Sequence, residues 1–172
     1  MRLNHPTPAV WAIVLLAAGF ASNLFLICGS NLVAFAVVAA LTLGLRRGLL
    51  VALGIWLESQ ALGFTVFGYP HASMTVAWGV ALGAGTVLAA AVANACAPRG
   101  RALAFAVAFA AYELGLAAFA LATRSGLSDF TPAIIAQLLI SNAAVALGAV
   151  VLYRLVSIAP NGADRFAHVR HS

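Results

Sequence analysis

The chain has 172 residues, of which 64% are hydrophobic and only 8% are charged. A soluble domain carries about 25% charged residues, so this composition excludes a surface that faces water all round and indicates that much of it faces lipid. The formal net charge of +5 comes from nine arginines and no lysine. These arginines lie at the ends of apolar segments rather than along one face, which favours topology signals over nucleic-acid binding.

Apolar segments separated by short polar breaks predict an all-α integral membrane protein with six spans and no separate soluble domain. A polar head, residues 1–7, precedes a first span that Pro8 opens, because proline suits a first helical turn. The apolar run that follows is too long for one span of about 20 residues, and Gly29-Ser30-Asn31 is its one plausible break. The predicted spans cover residues 8–28, 31–45, 48–67, 73–97, 102–123 and 132–156, and a polar tail covers 157–172.

The arginines predict the orientation of these spans. With six spans, one side collects eight of them: Arg2, Arg46, Arg47, Arg99, Arg101, Arg154, Arg165 and Arg170. The other side holds Arg124, in a loop that also contains Asp129. An excess of arginine marks the cytoplasmic side, so both termini are predicted to be cytoplasmic and the loop after the third span external. Cys28 and Cys96 then lie on opposite sides and cannot pair.

The main polar break is FGYPHASMT, residues 67–75. Pro70 ends any helix that arrives from the N-terminal side and restricts Tyr69 to extended geometry. His71 is the one histidine outside the terminal tails. We therefore expect this loop to lie over an external ligand site. Besides His71 and Tyr69, the predicted ligand-binding residues in this part of the chain are Phe67, Thr75 and Trp78.

Two carboxylates lie inside predicted spans, Glu58 in the third and Glu113 in the fifth. A charge at mid-bilayer costs a few kcal/mol and usually has a function or an internal partner. Three interpretations stay open for this pair: protonated or hydrogen-bonded packing groups, a proton relay, and ligand contacts. Ser59 and Gln60 beside Glu58, and Tyr112 beside Glu113, offer neutral hydrogen bonds.

Polar and small residues mark two further helix faces. Gln137 and Ser141 are four residues apart and share a face of the sixth span, and with Asn142 they are predicted to line an outward cavity. Gly79-xxx-Gly83 in the fourth span permits close backbone approach between helices. The sequence contains no HExxH, GxSxG or P-loop motif and no intramembrane histidine pair, which argues against an ATPase, a hydrolase or a haem carrier.

The whole pattern resembles a known family of membrane proteins. Six short spans, cytoplasmic ends, a two-arginine turn after the second span and a polar external loop after the third are similar to the substrate-binding (S) components of energy-coupling-factor vitamin transporters. LTLGLRRGLLVALGIWLESQALGF and GYPHASMTVAWGVALGAG look like the second to fourth helices of that family. Ala17-xxx-Ala21 is similar to the small-residue motif by which S-components dock on their transmembrane partner. Within the family, YPHASMTVAWG looks most like the cobalamin-specific, often solitary, BtuM-like branch.

This resemblance implies an S-component-like bundle in the bacterial cytoplasmic (inner) membrane, without an intrinsic cofactor. It implies uptake of cobalamin (vitamin B12) or a related corrinoid, either with energy-coupling transmembrane and ATPase subunits or alone. In that branch a cysteine thiolate can act as axial cobalt ligand and assist removal of cyanide. This chain has His71 in the loop and Cys28 at the outer end of the first span, so His71 is the first candidate cobalt ligand and Cys28 the second.

Two other functions remain open from the residues. One is a small proton-coupled transporter that uses Glu58 and Glu113, and the other is a non-catalytic assembly factor for a membrane complex. A vitamin-binding subunit predicts tight binding of a vitamin by the purified protein. The proton-coupled transporter predicts transport that follows pH, and the assembly factor predicts neither binding nor transport.

Overall fold

A computed structural model describes residues 6–25 and 31–158. These residues form six α-helices and, apart from two short 3-10 turns, no other regular element: α1 Pro8–Phe25, α2 Leu32–Leu43, α3 Leu45–Thr65, α4 Ser73–Cys96, α5 Arg101–Thr123 and α6 Pro132–Ile158. All except α2 are long and apolar enough to cross a membrane, so the chain has the build of a multi-pass membrane protein. The predicted break at Gly29-Ser30, Cys28 and most of the C-terminal tail lie outside the described residues.

The short helix α2 forms the centre of the bundle. It has 12 residues and is about 18 Å long, well below the ~30 Å of a bilayer core. Every residue from 32 to 40 is buried, and α2 belongs to both hydrophobic clusters of the protein. A helix that is hydrophobic all round is expected to be buried on all sides, so five long helices surround a short one.

Gly44 alone separates α2 from α3, which places this break earlier than the Arg46-Arg47 pair expected from the sequence. Its φ of 78° favours glycine, whereas arginine is a good helix former, and both arginines lie exposed in the first turn of α3. The two helices then pack very closely. A Cβ added to Gly48 would lie 2.6 Å from Cα of Ala40.

The start of α3, the start of α5 and the end of α6 carry Arg46, Arg47, Arg101 and Arg154 and lie at one end of the bundle, which we call the arginine end; Arg124 closes α5 at the other end. Arg101 and Arg154 line one crevice with Thr42 of α2. The same Thr42 accepts a hydrogen bond of 2.8 Å from Nε1 of Trp11 near the start of α1. The Trp11 ring in turn lies 4.9 Å from the ring of Tyr153. This grouping agrees with the one-sided arginine pattern of the sequence.

The glycines Gly79 and Gly83 of α4 accommodate side chains of α3 rather than its backbone. Trp56 fills the space over Gly83, where an added Cβ would be 2.7 Å from the indole, and its Nε1 donates to the carbonyl of Gly79 at 2.8 Å. Gln60 covers Gly79 in the same way. The small residues therefore allow one large aromatic side chain to pack between two helices.

Polar side chains fasten α6 to the bundle. Oδ1 of Asn142 accepts the backbone N–H of Ala34 at 3.0 Å, in the first turn of α2. The hydroxyl of Ser141 donates to Oδ1 of Asn31 at 3.0 Å, and Nδ2 of Asn31 donates to Ser22 of α1 at 3.2 Å. Only 11% of the apolar stretch of α6 is buried inside the bundle, and these bonds attach it to the start of α2.

Candidate ligand-binding cavity

A cavity of about 340 Å³ lies between α3, α4, α5 and α6, at the end of the bundle opposite the arginine end. The loop after α3 and the loop before α6 both reach it. Four aliphatic side chains form its apolar surface: Leu82, Leu116, Ile134 and Leu138. This volume is near the lower end of the range for small-molecule pockets. We call it the aromatic cavity, after its remaining walls.

Two of its four aromatic side chains come from the central loop and the start of α4. Tyr69 lies over Gly63, where an added Cβ would meet the ring at 2.6 Å, and its N–H donates to the Gly63 carbonyl at 3.0 Å. Trp78 donates from Nε1 to the hydroxyl of Ser125 at 3.1 Å. These contacts hold both rings in place, so this part of the wall is preformed. Tyr112 and Phe130 supply the other two rings.

The polar side chains that line the aromatic cavity are Ser59, Gln60, Glu113 and Asp129, and its lining includes no arginine, lysine or histidine. Glu113 lies ten residues before the end of α5 and therefore about 15 Å from that end. Asp129 is exposed near the mouth. The cavity thus presents acceptors at its mouth and at its depth, and suits a ligand that carries N–H or O–H donors or a positive charge.

Glu58 does not line this cavity, and its Oε2 is buried without a hydrogen-bond partner. The neutral donors expected beside it are used elsewhere. Ser59 donates to the carbonyl of Trp56 at 2.7 Å, and Gln60 donates to Ser59 at 3.2 Å. Glu58 and Glu113 therefore occupy different environments and do not form one acidic site.

Of the site residues expected in and after the central loop, Tyr69 and Trp78 line the aromatic cavity. The ring centroid of Phe67 lies 6.3 Å from that of Tyr69, but Phe67 does not line the cavity. Thr75 is half-buried and does not line the cavity either. His71 is exposed, with its ring 5.2 Å from Phe64. Cys28, the other candidate cobalt ligand, lies outside the described residues.

The expected cavity face of α6 differs from the observed one. Gln137 is exposed, while Ser141 and Asn142 bond to the start of α2. Ile134 and Leu138 line the cavity instead. The buried donors at the start of α2 need partners in a dry interior, and that need turns the amide of Asn142 away from the cavity.

Tyr112, Phe130 and Gln60 also line the cavity, although the sequence predicts Tyr112 and Gln60 only as hydrogen-bond partners of the glutamates and gives Phe130 no role. Phe130 offered a usable signal, because it adjoins Asp129 in the second loop on the side predicted to be external. Among the described residues, no group of three or more His, Cys, Asp or Glu side chains is placed to hold a metal ion. No protein-family model, curated protein or solved structure matches this chain.

Proposed function

We propose that the protein is the ligand-binding subunit of a vitamin uptake system in the bacterial cytoplasmic membrane, and that the aromatic cavity is its external binding site. The observation that supports this proposal most is the cavity itself. Aromatic, aliphatic and acceptor side chains from four helices converge there, at the end of the bundle opposite the arginine end. Under the positive-inside rule that end faces outward.

Cobalamin is the first vitamin to test, because the sequence resemblance points to it. The aromatic cavity is too small to enclose a whole corrinoid. In this proposal the ring lies at the mouth beside Tyr69 and His71, and an amide arm enters toward Gln60 and Glu113. Amide N–H groups are donors of the kind that these acceptors take up. A neutral imidazole at position 71 is then available as an axial cobalt ligand.

The first experiment is purification after expression in rich medium, followed by an absorption spectrum and mass spectrometry of the extracted small molecules. A corrinoid spectrum supports the cobalamin assignment. A different co-purified vitamin rejects cobalamin but retains the uptake subunit. If no vitamin co-purifies and the protein binds none from a mixture of vitamins, the proposal as a whole is contradicted.

The axial ligand has its own test on corrinoid-loaded protein. We expect His71→Ala to shift the visible spectrum and weaken binding, whereas Cys28→Ser has little effect. The opposite pattern makes the thiol the ligand. If neither substitution alters spectrum or affinity, axial coordination by this protein is wrong and only a site based on shape remains.

A second function, proton-coupled transport, is favoured by one observation, the buried and unpartnered Oε2 of Glu58. Carboxylates inside membrane bundles often belong to proton pathways. This alternative predicts transport that follows external pH and is lost in the double variant Glu58→Gln/Glu113→Gln. Transport that continues in that variant rejects it.

A further inference from the structure

A second crevice, of about 430 Å³, opens between α5 and α6 at the arginine end. These helices pack on α2 more than on each other, so part of the seam between them stays open. Val38 and Leu41 of α2 form its floor, and Phe105 and Leu147 stand on its two walls. Leu147 is 67% exposed, so the crevice lies open to the surrounding lipid. We call it the arginine crevice.

Arg101 and Arg154 supply the charge of the arginine crevice, and no carboxylate is among its lining residues. Arg101 is the first residue of α5, whose N-cap Gly100 provides no side-chain cap. The first N–H groups of α5 therefore have no acceptor within the helix, and their partial positive charge adds to that of the two guanidinium groups. Guanidinium groups and helix N-termini both bind phosphate well.

The arginine crevice, from its apolar end to its charged end, is about as long as one leaflet is deep. Its lining extends along α6 from Ala143 to Arg154, which is about 16 Å. This length is close to half of the ~30 Å bilayer core, the depth of a single leaflet. A free phosphate or nucleotide would leave this apolar surface uncovered, whereas a phospholipid covers it and presents its phosphate at the charged end.

We propose that the arginine crevice binds one anionic phospholipid, with an acyl chain along α2 and the phosphate on Arg101 and Arg154. This site lies at the opposite end of the bundle from the aromatic cavity and does not depend on the proposed function. Its charge selects anionic over zwitterionic lipid, because two guanidinium groups meet a net negative headgroup. Its apolar surface selects an intact lipid over a free phosphate.

The test is native mass spectrometry of the full chain, titrated with phosphatidylglycerol or with phosphatidylcholine of the same acyl chains. We expect wild type to prefer phosphatidylglycerol, and Arg101→Gln/Arg154→Gln to lose affinity for it by about thirtyfold. The matched control is Arg46→Gln/Arg47→Gln, which removes the same charge at the same end but outside the crevice. An equal loss in this control would show that general surface potential attracts the lipid, and would overturn the proposal.

The position of the acyl chain is tested separately with exposed residues of α6, so that folding is preserved. Leu147→Trp blocks the crevice and should weaken phosphatidylglycerol binding, whereas Ile140→Trp, at a side chain 69% exposed outside the crevice, should not. Inorganic phosphate should compete poorly with the lipid. Unchanged binding in Leu147→Trp, or full displacement by inorganic phosphate, would reject the lipid assignment.

Discussion

Replacing Asn142 with leucine tests how α6 is held in the bundle. The change keeps the number and branching of the side-chain heavy atoms but removes the acceptor of the Ala34 N–H. Ala34 lies in the first turn of α2, where no acceptor within the helix is available, and it is 1% exposed. Water therefore cannot replace the lost bond.

The expected loss follows from these contacts. An unsatisfied buried donor costs about 1–3 kcal/mol. Interhelical hydrogen bonds in membrane proteins average only about 0.6 kcal/mol, because the polar groups find other partners once the bond is broken. Because Ala34 has no route to water, we expect a loss near 2 kcal/mol in the free energy of unfolding. The bond from Nδ2 of Asn142 to the Leu138 carbonyl, 2.9 Å within α6, adds little, because it is local to one helix turn.

The measurement is unfolding by denaturing detergent, titrated from mixed micelles and followed by circular dichroism. Gln137→Leu is the matched control, since Gln137 is exposed on the same helix. This substitution should change the unfolding free energy by less than about 0.5 kcal/mol. If Asn142→Leu is as stable as wild type, or if the control is equally destabilised, the cross-helix capping of α2 is not a stabilising contact.

Further predictions concern packing, topology and partner docking. Gly48→Ala should destabilise the protein by about 1–3 kcal/mol in the same titration because α2 blocks the added Cβ; Gly115→Ala, with 3.8 Å to the nearest atom, should not. A topology reporter inserted at Ser128 should be external and one fused after Ser172 cytoplasmic, and the reverse at either position contradicts the orientation. Ala17 is exposed on α1. If an energy-coupling partner docks there, Ala17→Trp should abolish transport but keep ligand binding, because the added bulk blocks close helix approach. Loss of binding as well would indicate misfolding.

Hydropathy predicted the apolar helices, and the arginine pattern anticipated which helix ends meet. Both signals are local, because each apolar segment must by itself be long enough to cross the bilayer, and the arginines that flank it mark the side on which it ends. The central loop was informative for the same reason. Its proline and aromatic residues predicted a structured break, and Tyr69 and Trp78 do line the aromatic cavity.

The sequence does not predict the central position of α2 in the bundle. Lipid and protein interior are similarly apolar, so a buried helix and a lipid-facing helix have the same hydropathy. The direction of Asn142 was also hidden, since its partner Ala34 lies 108 residues away. Periodicity gives the shared face of Gln137 and Ser141 but does not say what that face meets.

The most direct test of the central claim is ligand retention by two tryptophan variants of α6. Ile134 lines the mouth of the aromatic cavity, whereas Ile140 is exposed and lies outside its lining. After identical purification, mass spectrometry of extracted small molecules gives the ligand carried by wild type, Ile134→Trp and Ile140→Trp. We predict the same vitamin in wild type and Ile140→Trp. In Ile134→Trp we predict binding at least about tenfold weaker, ~1.4 kcal/mol, and therefore a lower ligand content. Equal ligand content in all three proteins would contradict the aromatic cavity as the binding site.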